Sequence, residues 1–248
     1  MKLQRHTGRR RSGRFLAAGP NLVASAASRG LVQEVFATLA AAERHRDLLD
    51  GLPVSLVTDA AAKALSETVT PSGLIAVCRI PDADLDAVLT TGPRLVAVDL
   101  SEPGNAGTLI RTADAMGADA VIFAGSSVDP YNGKCLRSSA GSIFTVPVLT
   151  EPDVTGLLDR LRGAGLQIMA TALDGDLSLD NAEPVLSAPT AWLFGSEAHG
   201  LSGQVSAQAD RTVIIPMTGG AESLNVATAA AICMYQTARA QRRGQGHS

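Results

Sequence analysis

The stretch from Arg94 to Ala124, RLVAVDLSEPGNAGTLIRTADAMGADAVIFA, decides the reading of the fold. Leu95-Val96-Ala97-Val98 is a continuous apolar run, as expected of a strand covered on both faces in a parallel sheet. A Gly-rich loop follows, then a helix predicted over Thr108–Met116 and a second strand over Val121–Ala124. Working outward, further strands are predicted at Val146–Leu149, Gln167–Ala172, Ala191–Phe194 and Val213–Pro216. A helix is predicted over Val154–Arg162, and an Ala-rich last helix runs from Asn225 to Arg239. This strand–helix alternation specifies an α/β domain with a mostly parallel sheet.

Upstream the signals are shorter. Leu22–Ala27, Ala41–Asp50 and Ala60–Glu67 read as helices, the last with Asp59 as its cap. Val32–Thr38, Val54–Thr58 and Leu74–Ile80 read as strands. Residues 81–93 bring acids, Gly and Pro and read as a linker. The expected organisation is a basic flexible tail at 1–14, a small α/β domain at 15–80, the linker at 81–93, the larger domain at 94–243 and a short tail at 244–248.

Of the 248 residues, 46% are apolar and 18% charged, which supplies a core and excludes a disordered chain. Aromatics are 3%, so aliphatic side chains must do most of the packing. No apolar run approaches the roughly 18 residues of a membrane helix, so no membrane association is expected. Cys78, Cys135 and Cys233 are far apart, and His6, His45, His199 and His247 are scattered. Neither a disulfide framework nor a metal site is expected, which fits a reducing cytoplasm.

The net charge of −3 hides an asymmetry. Six of the 21 Lys and Arg lie in residues 1–14, which hold no acid, so the remaining 15 stand against 24 Asp and Glu. A basic arm ahead of an acidic body reads as a polyanion-binding tail, a solvated terminus, or a secretion signal that Gly19-Pro20-Asn21 interrupts. Arg9, Arg10, Arg11, Arg14 and Arg29 are the candidate polyanion contacts, with Arg44, Arg46, Arg239, Arg242 and Arg243 as smaller additions.

No GxGxxG, GxxxxGK[ST] or GxSxG follows any predicted strand, which removes most dinucleotide dehydrogenases, phosphate-loop nucleotidases and serine hydrolases. Three segments after predicted strands remain. The first is Asn105-Ala106-Gly107-Thr108-Leu109-Ile110-Arg111-Thr112-Ala113, with Asn105 and Gly107 placed at a helix start. The second is Phe194-Gly195-Ser196-Glu197-Ala198-His199-Gly200, whose glycines permit close backbone approach to a ligand. The third is Ile215-Pro216-Met217 followed by Glu222-Ser223-Leu224-Asn225-Val226, where Ser223 and Asn225 also suit capping of the last helix.

In this order the three segments resemble the motifs of the SpoU/TrmH family of RNA ribose methyltransferases, within the SPOUT superfamily. The resemblance covers about residues 94–243, and residues 15–80 look like the substrate-binding domain of many members. It implies a deep C-terminal trefoil knot, a rarity among folds, and S-adenosylmethionine as cofactor. The implied cofactor positions are Thr171, Ala172, Leu173, Gly195, Glu197, Gly200, Ile215, Met217, Ser223, Leu224 and Asn225. The implied catalytic set is Arg111, Asn105, Glu197, Ser223 and Asn225, with Arg111 either the base or a bidentate clamp on the target phosphate. It further implies a cytoplasmic homodimer through residues 94–248 acting on a ribose 2′-hydroxyl. Ribosomal RNA is the expected substrate; transfer RNA, a resistance-conferring ribosomal RNA enzyme, a base-methylating SPOUT enzyme and a non-catalytic RNA-binding module are the alternatives.

Overall fold

A computed structural model of the chain describes residues 2–66, 70–81, 83–92, 95–99, 103–195 and 200–245. The chain divides into two compact units, and the division is not linear in sequence. Unit 1 holds residues 1–82 and 129–144; unit 2 holds 83–128 and 145–248.

Unit 1 carries the strands β1 (Arg14–Ala18), β2 (Val32–Ala37), β3 (Val54–Leu56) and β4 (Leu74–Arg79). They form one sheet in the order β1-β4-β2-β3, antiparallel except for the β2–β3 pair. The helices of its first segment are α1 (His6–Ser12), α2 (Pro20–Ala27), α3 (Leu39–Arg44), α4 (Arg46–Leu49) and α5 (Asp59–Leu65). The cap of α5 is Thr58, whose hydroxyl accepts from the Ala61 amide at 3.2 Å, rather than the expected Asp59. Ala62 and Leu65 of α5 pack over Ile75.

The expected flexible tail is instead ordered as a 3-10 turn at Lys2–Gln4 followed by α1. Arg9 is buried at 5% exposure, its Nε donating to Asp129 Oδ2 at 2.7 Å and a second guanidinium nitrogen to the Leu3 carbonyl. An arginine so paired is withdrawn from RNA contact, which corrects that expectation for Arg9; Arg10, Arg11, Arg14 and Arg29 are exposed. Phe15, at the start of β1, stacks on Phe144 with centroids 5.7 Å apart and lies 5.1 Å from the Tyr131 ring. Both partners come from 129–144, so this stretch contributes to the core of unit 1.

Unit 2 holds a seven-stranded sheet in which every recorded pairing is parallel. Its strands are β5 (Leu95–Asp99), β6 (Ala120–Ala124), β7 (Val148–Glu151), β8 (Gln167–Thr171), β9 (Leu177–Ser178), β10 (Thr190–Phe194) and β11 (Arg211–Ile214), ordered β7-β6-β5-β10-β8-β11-β9. The helices that follow α5 in the chain are α6 (Leu85–Thr90), α7 (Pro103–Met116), α8 (Gly133–Ser138, in unit 1), α9 (Val154–Gly163), α10 (Glu183–Leu186), α11 (Gly203–Ser206) and α12 (Val226–Gln245). The stretch read as a linker thus contains α6, capped by the Asp84 carboxylate on the Ala87 amide.

Register explains why the strands read as unbroken apolar runs. Ala191 pairs with Val96 and Ile168, and Leu193 with Val98 and Ala170, so one face gathers these residues under Leu157, Leu158 and Leu161 of α9. The alternate positions, including Trp192, Phe194, Val121, Phe123 and Met169, are equally buried. α12 lies against β10, β5 and α7, burying Ala227, Ala230, Cys233, Met234 and Thr237 at helical spacing. Trp192, the chain's single tryptophan, donates its Nε1 hydrogen to Thr237 Oγ1 at 2.9 Å, and that hydroxyl donates in turn to the Cys233 carbonyl. A polar indole nitrogen is thereby satisfied inside an apolar layer.

Candidate active site

Parallel α/β sheets present ligands at the carboxyl ends of their strands. In unit 2 the ends of β8, β10 and β11 surround a cavity of about 520 Å³. That volume is within the range of small-molecule sites. Thr171, Ala172 and Leu173 form one wall, Gly195 and Gly200 another, and Ile215, Met217, Ser223 and Leu224 a third. Three segments that are distant in sequence therefore converge on one space.

The glycines are there for steric reasons. A Cβ on Gly195 would lie 2.3 Å from the carbonyl carbon of Gly200, so the chain crosses itself there with no room for a side chain. Gly200 has φ +63°, the left-handed region that glycine enters freely. Glu197 and His199 lie outside the described residues.

Asn225 does not line the cavity; it caps α12. Its Oδ1 accepts from the amides of Ala227 (2.9 Å) and Thr228 (3.3 Å), and its Nδ2 donates to Asn105 Oδ1 at 2.9 Å. Asn105 sits within α7, which starts at Pro103, so the predicted helix start is five residues too late; proline at a first helical position explains the early entry. Arg111 is on the same helix, exposed, and outside the cavity lining. Among the described residues it makes no ion pair. Arg239 and Arg243, candidates for RNA contact, both pair with Glu183 at 2.8 Å.

The wall at Thr171–Asp174 is pinned to β11. The Ala172 amide donates to the Val213 carbonyl at 3.0 Å, and Asp176 is tied to Thr212. Hydrogen bonds from the Thr212 hydroxyl and amide, then the Arg211 guanidinium, hold the Asp176 carboxyl below the usual carboxylate value. Lining residues not anticipated from sequence include Asp174, Leu201, Ser206, Val226 and Ala229. Leu201 follows Gly200 directly and Val226 follows Asn225, so adjacency to the motifs was their available signal.

The lining suits a nucleoside with a charged tail. Leu173, Ile215, Met217 and Leu224 offer apolar walls for a purine, Thr171 and Ser223 offer hydroxyls, and the Gly195–Gly200 crossing exposes backbone. Among the described residues no His/Cys/Asp/Glu group of three or more could hold a metal. No helix among them is long and apolar enough to cross a membrane.

Comparison with known proteins bears on the same surfaces. Residues 92–235 match the SpoU rRNA Methylase family and residues 1–76 the MRM3-like substrate binding domain. The chain is 35% identical to the 23S rRNA (guanosine(2553)-2′-O)-methyltransferase RlmP of Bacillus subtilis (strain 168), covering 94% of this chain and 92% of that one. The SpoU methyltransferase AviRb from Streptomyces viridochromogenes, solved in complex with AdoMet, superposes with TM-score 0.83 at 31% identity, covering 98% of this chain and 96% of that one. An AdoMet-bound rRNA methyltransferase from Sinorhizobium meliloti superposes with TM-score 0.82 at 27% identity, covering 96% and 91%.

Proposed function

The chain belongs to the SpoU rRNA methylase family, and on that footing we propose that it methylates a ribose 2′-oxygen of ribosomal RNA, using S-adenosylmethionine. The observation that carries this reading is the convergence of the second and third motif segments, with Thr171, Ala172 and Leu173, on the cavity at the ends of β8, β10 and β11, while Asn105 of the first segment bonds Asn225 of the third. When bound there, S-adenosylmethionine supplies an electrophilic methyl group on a sulfonium.

The chain's own residues then do five things. Leu173, Ile215, Met217 and Leu224 enclose the adenine ring and exclude water. The backbone at Gly195 and Gly200 and the Ser223 hydroxyl fix the cofactor's polar atoms. The Asn105–Asn225 hydrogen bond holds the start of α12, and with it Ser223 and Leu224, against α7. Arg111 grips the phosphate beside the acceptor ribose bidentately, which lowers the proton affinity of the hydroxyl, so that its proton passes to solvent water as the oxygen attacks. Glu197 orients Arg111 or the cofactor loop. Alignment of hydroxyl and methyl group accounts for most of the acceleration.

The reading includes a homodimer through residues 94–248 in which Arg111 serves the partner's cofactor site. Its support is that Arg111 stands exposed, outside the cavity of its own chain. It includes a trefoil knot, supported by the interleaved order β10-β8-β11-β9, where the last two strands are inserted beside β8 after β9 has been laid down. A cytoplasmic location accords with the buried, widely separated cysteines Cys78, Cys135 and Cys233. The test is Arg111→Ala, assayed for labelled methyl transfer to ribosomal RNA and, by calorimetry, for cofactor binding. Loss of transfer with binding retained supports the reading; loss of both in proportion assigns Arg111 to the cofactor site and overturns its assigned role.

A further inference from the structure

Asp174 is the one charged side chain among the described residues that line the cavity. Its position is held from both sides. On the near side, the Ala172 amide donates to the Val213 carbonyl at 3.0 Å. On the far side, Asp176 and Thr212 bond reciprocally: the Thr212 amide and hydroxyl donate to Asp176 Oδ1 at 2.7 and 2.9 Å, and the Asp176 amide donates to Thr212 Oγ1 at 3.1 Å. Between them Gly175 lies flat on β11, where a Cβ would sit 2.6 Å from the Ile214 nitrogen. The loop therefore holds Asp174 at the cavity wall with little freedom to withdraw it.

We infer that Asp174 determines the preference of this site for the charged cofactor over the demethylated product. The inference rests on the cavity being the S-adenosylmethionine site. The cofactor carries a sulfonium cation that its product, S-adenosylhomocysteine, lacks; the two are otherwise alike. A fixed carboxylate favours the cation by Coulomb attraction and gives the neutral thioether nothing in return. Methyl transfer cancels that attraction at the moment the product must leave. Because Asp174 is exposed, the effect is screened and modest, roughly two- to fivefold in affinity as for exposed ion pairs.

The experiment is calorimetric titration of the full chain and of Asp174→Asn and Asp174→Glu with each compound, at low and high salt. Asp174→Asn is expected to weaken S-adenosylmethionine binding roughly two- to fivefold and leave S-adenosylhomocysteine binding unchanged. Asp174→Glu should restore the preference, and salt should erode it in the wild type and in Asp174→Glu but not in Asp174→Asn. A proportional loss for both compounds, or an unchanged ratio in Asp174→Asn, overturns the inference and leaves the cavity assignment standing. Failure of the wild type to bind either compound overturns the cavity assignment itself, and this inference with it.

Discussion

Asn225 and Asn105, 120 residues apart in the chain, are joined side chain to side chain by a hydrogen bond of 2.9 Å. The same Asn225 caps α12 through its Oδ1. One residue therefore fixes where the last helix begins and ties that point to α7, the helix that carries Arg111.

The two jobs can be separated by substitution. Asn225→Asp keeps an oxygen for the cap and loses the donor to Asn105; Asn225→Ala loses both. Loss of the cap should cost about 1 kcal/mol, so Asn225→Ala should melt lower than Asn225→Asp. Both should lose methyl transfer to a similar degree, because both release the start of α12 from α7. Thermal unfolding set beside a transfer assay checks this, and full transfer by Asn225→Asp would contradict it.

The basic arm should behave as two populations. Arg9→Ala strands a nearly buried Asp129 and should cost about 3–5 kcal/mol. Arg10→Ala with Arg11→Ala, both exposed, should leave stability within about 0.5 kcal/mol. That double variant should weaken RNA binding and flatten its salt dependence by up to about two units in the log–log slope. Denaturant unfolding and a salt titration of RNA binding separate the two.

Trp192 reports on the central layer of unit 2. Thr237→Val keeps the shape and removes the acceptor for the indole hydrogen, leaving a buried donor unsatisfied. The expected loss is about 1–3 kcal/mol, with a shift of the native tryptophan emission. Both are read in one fluorescence-monitored urea titration.

Asp176 sets an acid limit on the loop that carries Asp174. Its folded pKa lies below the ordinary carboxylate value, so the unfolded chain takes up the proton first. The contribution is therefore present above the unfolded value of about 3.9 and is lost as pH falls through the folded one. The wild type should lose stability on acidification in that window more steeply than Asp176→Asn. Melting curves from about pH 6 downward test this; parallel curves would contradict it.

Much of unit 2 was legible in the sequence because strands covered on both faces leave uninterrupted apolar runs, as at Leu95–Val98 and Ala191–Phe194. The walls of the cavity were legible through the second and third motif segments and through Thr171, Ala172 and Leu173. The role of residues 129–144 in unit 1 was not, since it depends on Arg9 meeting Asp129 and Phe15 meeting Phe144 across more than a hundred residues. No local periodicity carries such a contact. The helix α6 was missed although Leu85, Val88 and Leu89 repeat at helical spacing after Asp84, because the surrounding Pro and Gly outweighed it. Asn225 was read both as a cap and as a site residue; its amide serves as the cap and also bonds Asn105.

The acceptor atom separates a ribose methyltransferase from a base methyltransferase most directly. Ribosomal RNA methylated by this protein with labelled S-adenosylmethionine is hydrolysed in alkali and the label separated by charge. A methyl group on the ribose 2′-oxygen blocks attack on the adjoining phosphodiester, so the label is predicted to run entirely in alkali-resistant dinucleotides. Label recovered in mononucleotides would place the methyl group on a base and exclude the ribose 2′-oxygen as the acceptor.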